Sequence, residues 1–413
     1  VDLPDRYAVT EIRKPPMPLI DDPPAAIAAA LDDGDLTRLA KSARSACILV
    51  CDITRPVPNG LFLRPMIERL LQAGMTADHI TVLVATGLHR PNEGDELAEL
   101  IGDPWVLDTV RIVNHFARDD DAHTDLGVTS RGTRVSLDSR FVAADLKIAT
   151  GLVEPHFMAG YSGGRKVVAP GVAHAETIRT FHSARFMEDP LAVQCNLEGN
   201  PLHEEQLEIL SILRRRDGRE IYALNTVIDD DRRLSFVNFG PIETSHDDAV
   251  AFVHGYCTVE VPRRFSTVVS SAAGFPLDQT YYQTVKGMVT PMDILEPNAT
   301  LIVASDCSEG LGSEAYRESQ RRLLVEGPEG FLARIQAKRL ADIDEWETEM
   351  QLKSQRVADI KLFSGLAPPD RDLTGVDVID SIEAAVHESV TRSGDTAVAV
   401  IPEGPYVVPL YAG

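Results

Sequence analysis

The sequence predicts an α/β protein with largely parallel sheets, divided into two parts. Three observations carry that reading. Short β-branched or apolar runs alternate with helical stretches. The Gly, Pro, His and Arg residues gather in the loops that follow the strands, where ligands bind in such sheets. The length, 413 residues, suits two or three domains at roughly 150 residues each.

In chain order, strands are expected over 46–52, 80–85, 109–113, 146–150, 222–227, 266–271, 300–304 and 396–401, each a short run rich in Val, Ile, Leu or Ala. Helices are expected over 60–72, 95–101, 246–253, 279–288, 314–325, 329–339, 344–354 and 381–391. The stretch Val259-Glu260-Val261-Pro262-Arg263-Arg264 interrupts this rhythm before a fresh strand. It places the domain boundary between 1–262 and 263–413. The acidic triplets at 119–121 and 229–231 read as solvated turns.

Hydrophobic residues make up 44% and charged residues 25%, a balance that excludes a mainly disordered chain. No apolar run approaches the roughly 18 residues of a membrane span, and the first residues lack the basic and apolar blocks of a signal peptide. The expectation is a cytoplasmic protein with no membrane partner. Forty basic against 63 acidic residues give a net charge of -23. Such a surface repels nucleic-acid phosphates, so no nucleic-acid partner is expected. Any anionic ligand must then be held by a local group of cations and backbone amides. Five cysteines without a C-x-x-C pair fit a reducing compartment and argue against a structural zinc site.

Four segments concentrate chemistry. Asp52-Ile53-Thr54-Arg55-Pro56 follows the first strand, where Arg55 can fork onto a carboxylate or phosphate; a turn in which Asp52 and Arg55 pair with each other is equally compatible. Thr86-Gly87-Leu88-His89-Arg90-Pro91 follows the second and offers His89 as an acid or base, although a lone histidine is more often structural. Glu154-Pro155-His156 runs into Gly160-Tyr161-Ser162-Gly163-Gly164-Arg165-Lys166. There Gly163 and Gly164 let amides approach an anion, Arg165 adds charge, and Lys166 beside another cation is a candidate nucleophile. The loop does not satisfy the G-x-x-x-x-G-K-[ST] pattern. In the second half Tyr282, Gln283 and Lys286 share one helix face, a phenol, an amide and an ammonium suited to an oxyanion or carboxylate. An ordinary solvated helix face would look the same. The run Gly310–Ala315 matches G-x-G-x-x-A, but Asp306 and Glu309 beside it disfavour a pyrophosphate.

These blocks, with His182, occur in an order that resembles the nickel-dependent lactate racemase family, from about Ala46 to Trp346. The resemblance implies two α/β domains with an active-site cleft between them, the first carrying the tethering lysine and catalytic histidines, the second closing the cleft, its last residues free to pack back on the first. It implies a nickel-pincer nucleotide, a pyridinium mononucleotide bound as a thioamide to the lysine matching Lys166, with the histidine matching His182 as a nickel ligand. His89 and His156 match the family's acid and base on opposite sides of the substrate. Asp52, Arg55, Tyr282, Gln283, Lys286 and Trp346 match positions lining the site, and Thr54, Gly163, Gly164 and Arg165 are expected beside the cofactor. The implied activity is racemisation or epimerisation of a 2-hydroxy acid by reversible hydride transfer through a 2-keto acid, with cofactor-synthesis enzymes as partners. Two other readings stand beside it: a nicotinamide-dependent 2-hydroxy-acid dehydrogenase and a non-catalytic carboxylate-binding protein.

Overall fold

A computed structural model describes residues 3–413 and resolves them into two compact units. One, here the N-terminal unit, comprises Pro16–Phe181 and Asp189–Gly255. The other, the C-terminal unit, comprises Tyr256–Gly413 together with the N-terminal segment up to Pro15 and His182–Glu188. Both are α/β, as the alternation of strands and helices predicts. The division is not a single cut: two short pieces from earlier in the chain group with the later part.

The strands of the two main sheets are β1 (Ala8–Glu11), β2 (Ala46–Cys51), β3 (Ile80–Ala85), β4 (Arg111–Asn114), β5 (Leu146–Leu152), β6 (Ile221–Ile228), β7 (Leu234–Pro241), β8 (Phe265–Ser271), β9 (Leu295–Ser305), β10 (Ala358–Ser364), β11 (Asp377–Ile379) and β12 (Ala397–Ile401). In the N-terminal unit the order is β7-β6-β5-β2-β3-β4, parallel throughout except for the antiparallel edge strand β7. β2 and β3 are near-continuous apolar runs, and β5 is buried along its whole length, because both faces of a parallel sheet are covered. Helix α1 (Asn59–Gln72) covers part of one face, inserting Phe62, Leu63, Met66, Ile67 and Leu70 against Ile48, Val50, Val82 and Val84. That spacing is the apolar stripe of an amphipathic helix.

The C-terminal unit has a six-stranded parallel sheet in the order β1-β12-β8-β9-β10-β11. Val269, Ile302 and Val398 of this sheet pack with Val386 and Val390. Helices α2 (Tyr281–Val289), α3 (Glu314–Gln336) and α4 (Glu345–Gln355) also belong to this unit. Residues 314–336 form two helical pieces broken at Gly327, whose φ of 72° is left-handed and which precedes Pro328. The pair of helices expected there is therefore present. Thr258–Val261, in the stretch that interrupts the sequence pattern, pairs in parallel with Val408–Tyr411 near the chain's end.

Among the described residues no helix is long and apolar enough to cross a membrane.

Candidate active site

The parallel order β5-β2-β3 brings three of the four chemical segments to one edge of the N-terminal sheet, since each follows the carboxyl end of one of these adjacent strands. Asn92 ties two of the loops and β4 together. It accepts the Ile53 amide at 3.3 Å and exchanges hydrogen bonds with Asn114 at 2.8 and 3.0 Å.

Asp52 does not pair with Arg55. Its carboxylate is buried and accepts from the Thr54 amide (3.2 Å) and hydroxyl (2.5 Å), and from His89 Nδ1 at 2.6 Å. Burial pushes this carboxyl up, but the bonds from His89 and Thr54 and the charge of Arg55 outweigh it and hold it below the usual carboxylate range. Because an ionised carboxylate only accepts, His89 carries its hydrogen on Nδ1, and neutral His89 has the Nε2 lone pair of a base. Thr54 therefore serves Asp52. Arg55 lies 3.5 Å from Glu154, a residue of the third segment.

His156 has the opposite tautomer. The strands Pro155–His156 and Gly160–Tyr161 form a small hairpin, in which His156 Nδ1 accepts the amides of Met158 (3.4 Å) and Ala159 (3.2 Å). Its ring stacks on Phe157. A neutral imidazole accepting at Nδ1 carries its hydrogen on Nε2, so His156 is a donor where His89 is an acceptor.

Gly163 and Gly164 adopt φ of 74° and 46°. A Cβ at Gly164 would sit 2.6 Å from the His246 ring, and one at Gly163 2.7 Å from Val153 Cγ2. These glycines let the loop pack down. The geometry gives Arg165 a different part from the cofactor cation expected of it. It is 2% exposed, and its guanidinium donates to the Ala159 and Tyr161 carbonyls (2.9 and 3.3 Å) and lies 3.0 Å from His246 Nε2. Burial lowers its pKa to about 9, against the opposing charge of Asp247. Arg165 is thus turned inward to brace the hairpin that carries His156. Lys166 is the second residue of the short helix Arg165–Val168, which lies against β5 and β2. Cys51, at the end of β2, feels the charges of Asp52, Arg55, Glu154 and Lys166 together, while burial pushes its thiol up to about 12.

In the C-terminal unit His182 is 9% exposed, its ring 5.2 Å from that of Trp346. Trp346 is on α4, and its indole donates to Tyr282 Oη at 3.2 Å. Tyr282, Gln283 and Lys286 are all on α2, as the spacing predicts, with Thr280 capping the helix through the Gln283 amide. Sequence reading missed Glu347, next to Trp346. It is buried, its Oε1 lacks a hydrogen-bond partner, and burial pushes its carboxyl up to about 8 despite the charge of Lys286. Gly310 and Gly312 are not open to a pyrophosphate. A Cβ at Gly310 would lie 2.7 Å from Asp370 Oδ2, and one at Gly312 3.2 Å from Tyr282 Cβ.

Buried neutral histidines should make the N-terminal unit acid-labile. Burial lowers the pKa of His115 to about 3, and burial and the charge of Arg165 hold His246 well below its ordinary value. A folded pKa below the unfolded one means that the unfolded chain binds more protons, so stability falls as pH drops below about 6.5. At roughly 1.4 kcal/mol per pH unit, His115 alone removes about 2 kcal/mol by pH 5. Trp105 lies in this unit and Trp346 in the other. Urea unfolding of a Trp346→Phe variant, followed by Trp105 fluorescence, should show a lower midpoint at pH 5.5 than at pH 7.5. An unchanged or higher midpoint at pH 5.5 would refute this.

Fold and site together define a two-part α/β protein with a hydrogen-bonded Asp52–His89 pair, and His156 beside it, at a sheet's carboxyl edge. The description "Lactate racemase N-terminal domain" matches residues 1–194, and "Lactate racemase C-terminal domain" matches 262–408. The chain is 30% identical to a lactate racemase of Lactiplantibacillus plantarum over 89% of its own length and 86% of the relative's. It is 29% identical to one from Thermoanaerobacterium thermosaccharolyticum, over 90% and 86%. The solved lactate racemase apoprotein of the latter organism superposes with a TM-score of 0.89 at 25% identity, covering 99% of this chain and 96% of that one. A crystal structure of a Thermotoga maritima protein shares the fold at TM-score 0.67 and 15% identity. The chain belongs to the lactate racemase family.

Proposed function

We propose that this protein is an isomerase that inverts the hydroxyl-bearing carbon of a 2-hydroxy acid with a nickel-pincer nucleotide. The observation that carries the reading is the Asp52–His89 contact of 2.6 Å, which fixes a basic Nε2 at the sheet edge where Arg55 also emerges. The 2-hydroxy acid rather than another substrate comes from the named relatives.

The donor set fits the cofactor. A metal held mainly by an organic ligand needs little from the chain, and the described residues offer no group of three or more His, Cys, Asp or Glu for a metal. They do offer the nearly buried imidazole of His182 beside Trp346, and an amine, Lys166, on the short helix after the glycine loop. His182 would ligate nickel, and Lys166 would tether the nucleotide. When bound, the cofactor supplies a hydride acceptor, which avoids removing a poorly acidic α-hydrogen as a proton.

His89 takes the hydroxyl proton as the α-hydrogen departs, leaving a planar 2-keto acid. When the oxygen lies on the other side, neutral His156 hydrogen-bonds it from Nε2, and the proton that His89 has passed to water returns from water to complete the hydroxyl. For His156 to release a whole proton it must first be imidazolium, and its Nδ1 must then give up the Met158 and Ala159 amides. Arg55 and Lys286 are the cations assigned to the substrate carboxylate, a role for which Arg55 exchanges its contact with Glu154. Trp346 and Tyr282 steady each other beside His182, and Gln283 adds an amide on the same helix face.

The test is optical. Purified with the cofactor-synthesis enzymes co-expressed, the protein should convert one enantiomer of a 2-hydroxy acid into a mixture with no change in nicotinamide absorbance. Loss of the acid with a matching change in nicotinamide absorbance, and no enantiomer conversion without it, would make the protein a dehydrogenase instead. Arg55→Lys keeps the charge but loses the planar two-point contact. At about 1.5–3 kcal/mol for a charge-assisted bond, kcat/KM should fall roughly 10- to 100-fold, and an unchanged kcat/KM would place the carboxylate elsewhere.

A further inference from the structure

A second group of histidines lies behind the turn that carries His89. His115 follows β4 and is 1% exposed; its amide donates to Val84 O at 3.1 Å, and its carbonyl accepts the Thr86 hydroxyl at 2.8 Å. Thr86 in turn opens the His89 turn, because its carbonyl accepts the His89 amide at 2.9 Å. On its other side His115 Nε2 lies 2.9 Å from Nε2 of half-buried His123.

The proton positions are forced. His123 Nδ1 is 2.6 Å from the Asp119 carbonyl, which can only accept, so the hydrogen is on Nδ1. Neutral His123 then accepts at Nε2, and His115 must donate from its own Nε2. That leaves His115 Nδ1 bare, 3.4 Å from a Thr86 oxygen whose hydrogen already points to the His115 carbonyl. Two lone pairs face each other there, which accounts for the long separation.

A proton arriving on His123 Nε2 cannot coexist with the hydrogen on His115 Nε2. The relaxed arrangement moves the His115 hydrogen to Nδ1, where it donates to the Thr86 oxygen. From this geometry we infer that His123, His115 and Thr86 form a proton relay that reports surface protonation to the turn holding His89. His115 and Thr86 are thus positioning residues. The inference rests on the reading of His89 as the base, whose regulation it supplies.

The charges facing the relay are accounted for. Asp138 and Arg140, bound to each other at 2.6 Å, act on His115 from the strand Arg134–Asp138 and the helix after it. His174 acts on both histidines; its ring centroid is 5.1 Å from that of His123, and its Nε2 is 2.9 Å from Asp120. Asp119 and Asp138 act on His123 from the carboxylate side. Burial keeps His115 neutral and lowers His123, so the second proton enters at the more exposed ring and below neutral pH.

Ring-nitrogen NMR of the histidine-labelled, full-length protein from pH 8 to 5 tests this directly. His115 should change from the Nε2–H to the Nδ1–H tautomer with the midpoint at which His123 gains its proton. In His123→Gln, which cannot take up a proton, His115 should keep one tautomer throughout. In the cofactor-loaded enzyme, the acid limb of kcat/KM should move to lower pH by about half a unit in that variant. A His115 tautomer that stays constant while His123 titrates would overturn the relay, as would an unmoved acid limb. If His115 switches but His89→Gln turns over at the wild-type rate, the relay stands and the reading of His89 as the base fails.

Discussion

Glutamine at His89 is expected to lower kcat by about 10²–10⁴-fold, the usual cost of removing a positioned acid or base, while glutamine at His156 costs far less than alanine there. The asymmetry follows from the two tautomers. His89 gives Nδ1–H to Asp52 at 2.6 Å and must accept a proton at Nε2, which an amide cannot do. His156 accepts the Met158 and Ala159 amides at Nδ1 and presents Nε2–H. A glutamine amide NH2 stands near the position of Nε2 and can still donate. Asp52→Asn should share part of the His89 loss, because a neutral partner no longer favours the imidazolium that forms during turnover. Steady-state kinetics on the four variants decide the matter. Equal losses for His89→Gln and His156→Gln would mean that both rings move whole protons, and that the hairpin amides release His156 during turnover.

Much of this site is legible in the sequence because it depends on strand ends. In a parallel sheet the loops after adjacent strands converge whatever their sequence separation, so apolar runs ending near Cys51 and Ala85, and another through Ile148, already place Asp52, His89 and His156 at one edge. The helical spacing of Tyr282 and Lys286 was legible for a similar reason. What the sequence conceals is the direction a side chain takes. Arg165 and Lys166 are neighbours in a glycine-rich loop, yet Arg165 is folded under that loop onto two carbonyls. No composition or spacing rule distinguishes a cation aimed at a ligand from one bracing the backbone. Asp52 could equally have met Arg55, three residues on in the same turn, and the choice of His89 depends on how β2 and β3 align.

The fold shows the same limit. β7 went unread because it is an antiparallel edge strand with mixed burial, and β1 because it is four residues long and exposed. The helix Pro201–Asp217 is different. Asn200 caps its start, Pro201 occupies its first turn and Gly218 ends it with φ of 71°, so the boundary signals were there to be used.

The largest expected effects fall on Lys166 and His182, and they separate tether from ligand. Lys166→Ala should abolish racemisation and remove the covalent mass adduct, since alanine leaves no amine to bond. Some nucleotide can remain through other contacts, so the loss is read by denaturing intact-mass measurement and not by absorbance. His182→Ala should keep the adduct and lose nickel on dialysis, because a neutral imidazole is a good donor for nickel and alanine leaves that position to water. The packing makes the second variant interpretable. His182 meets Trp346 ring to ring, and the Trp346–Tyr282 bond holds that indole independently, so removing the imidazole leaves the wall in place. His182→Asn offers a control in which the cavity is filled but the donor is weaker, and nickel retention should fall between wild type and alanine. An adduct on the Lys166 variant would overturn the tether assignment, and wild-type nickel retention in His182→Ala would remove His182 as a ligand. Because the mass readout responds only to Lys166 and metal content mainly to His182, each assignment can fail without carrying the other with it.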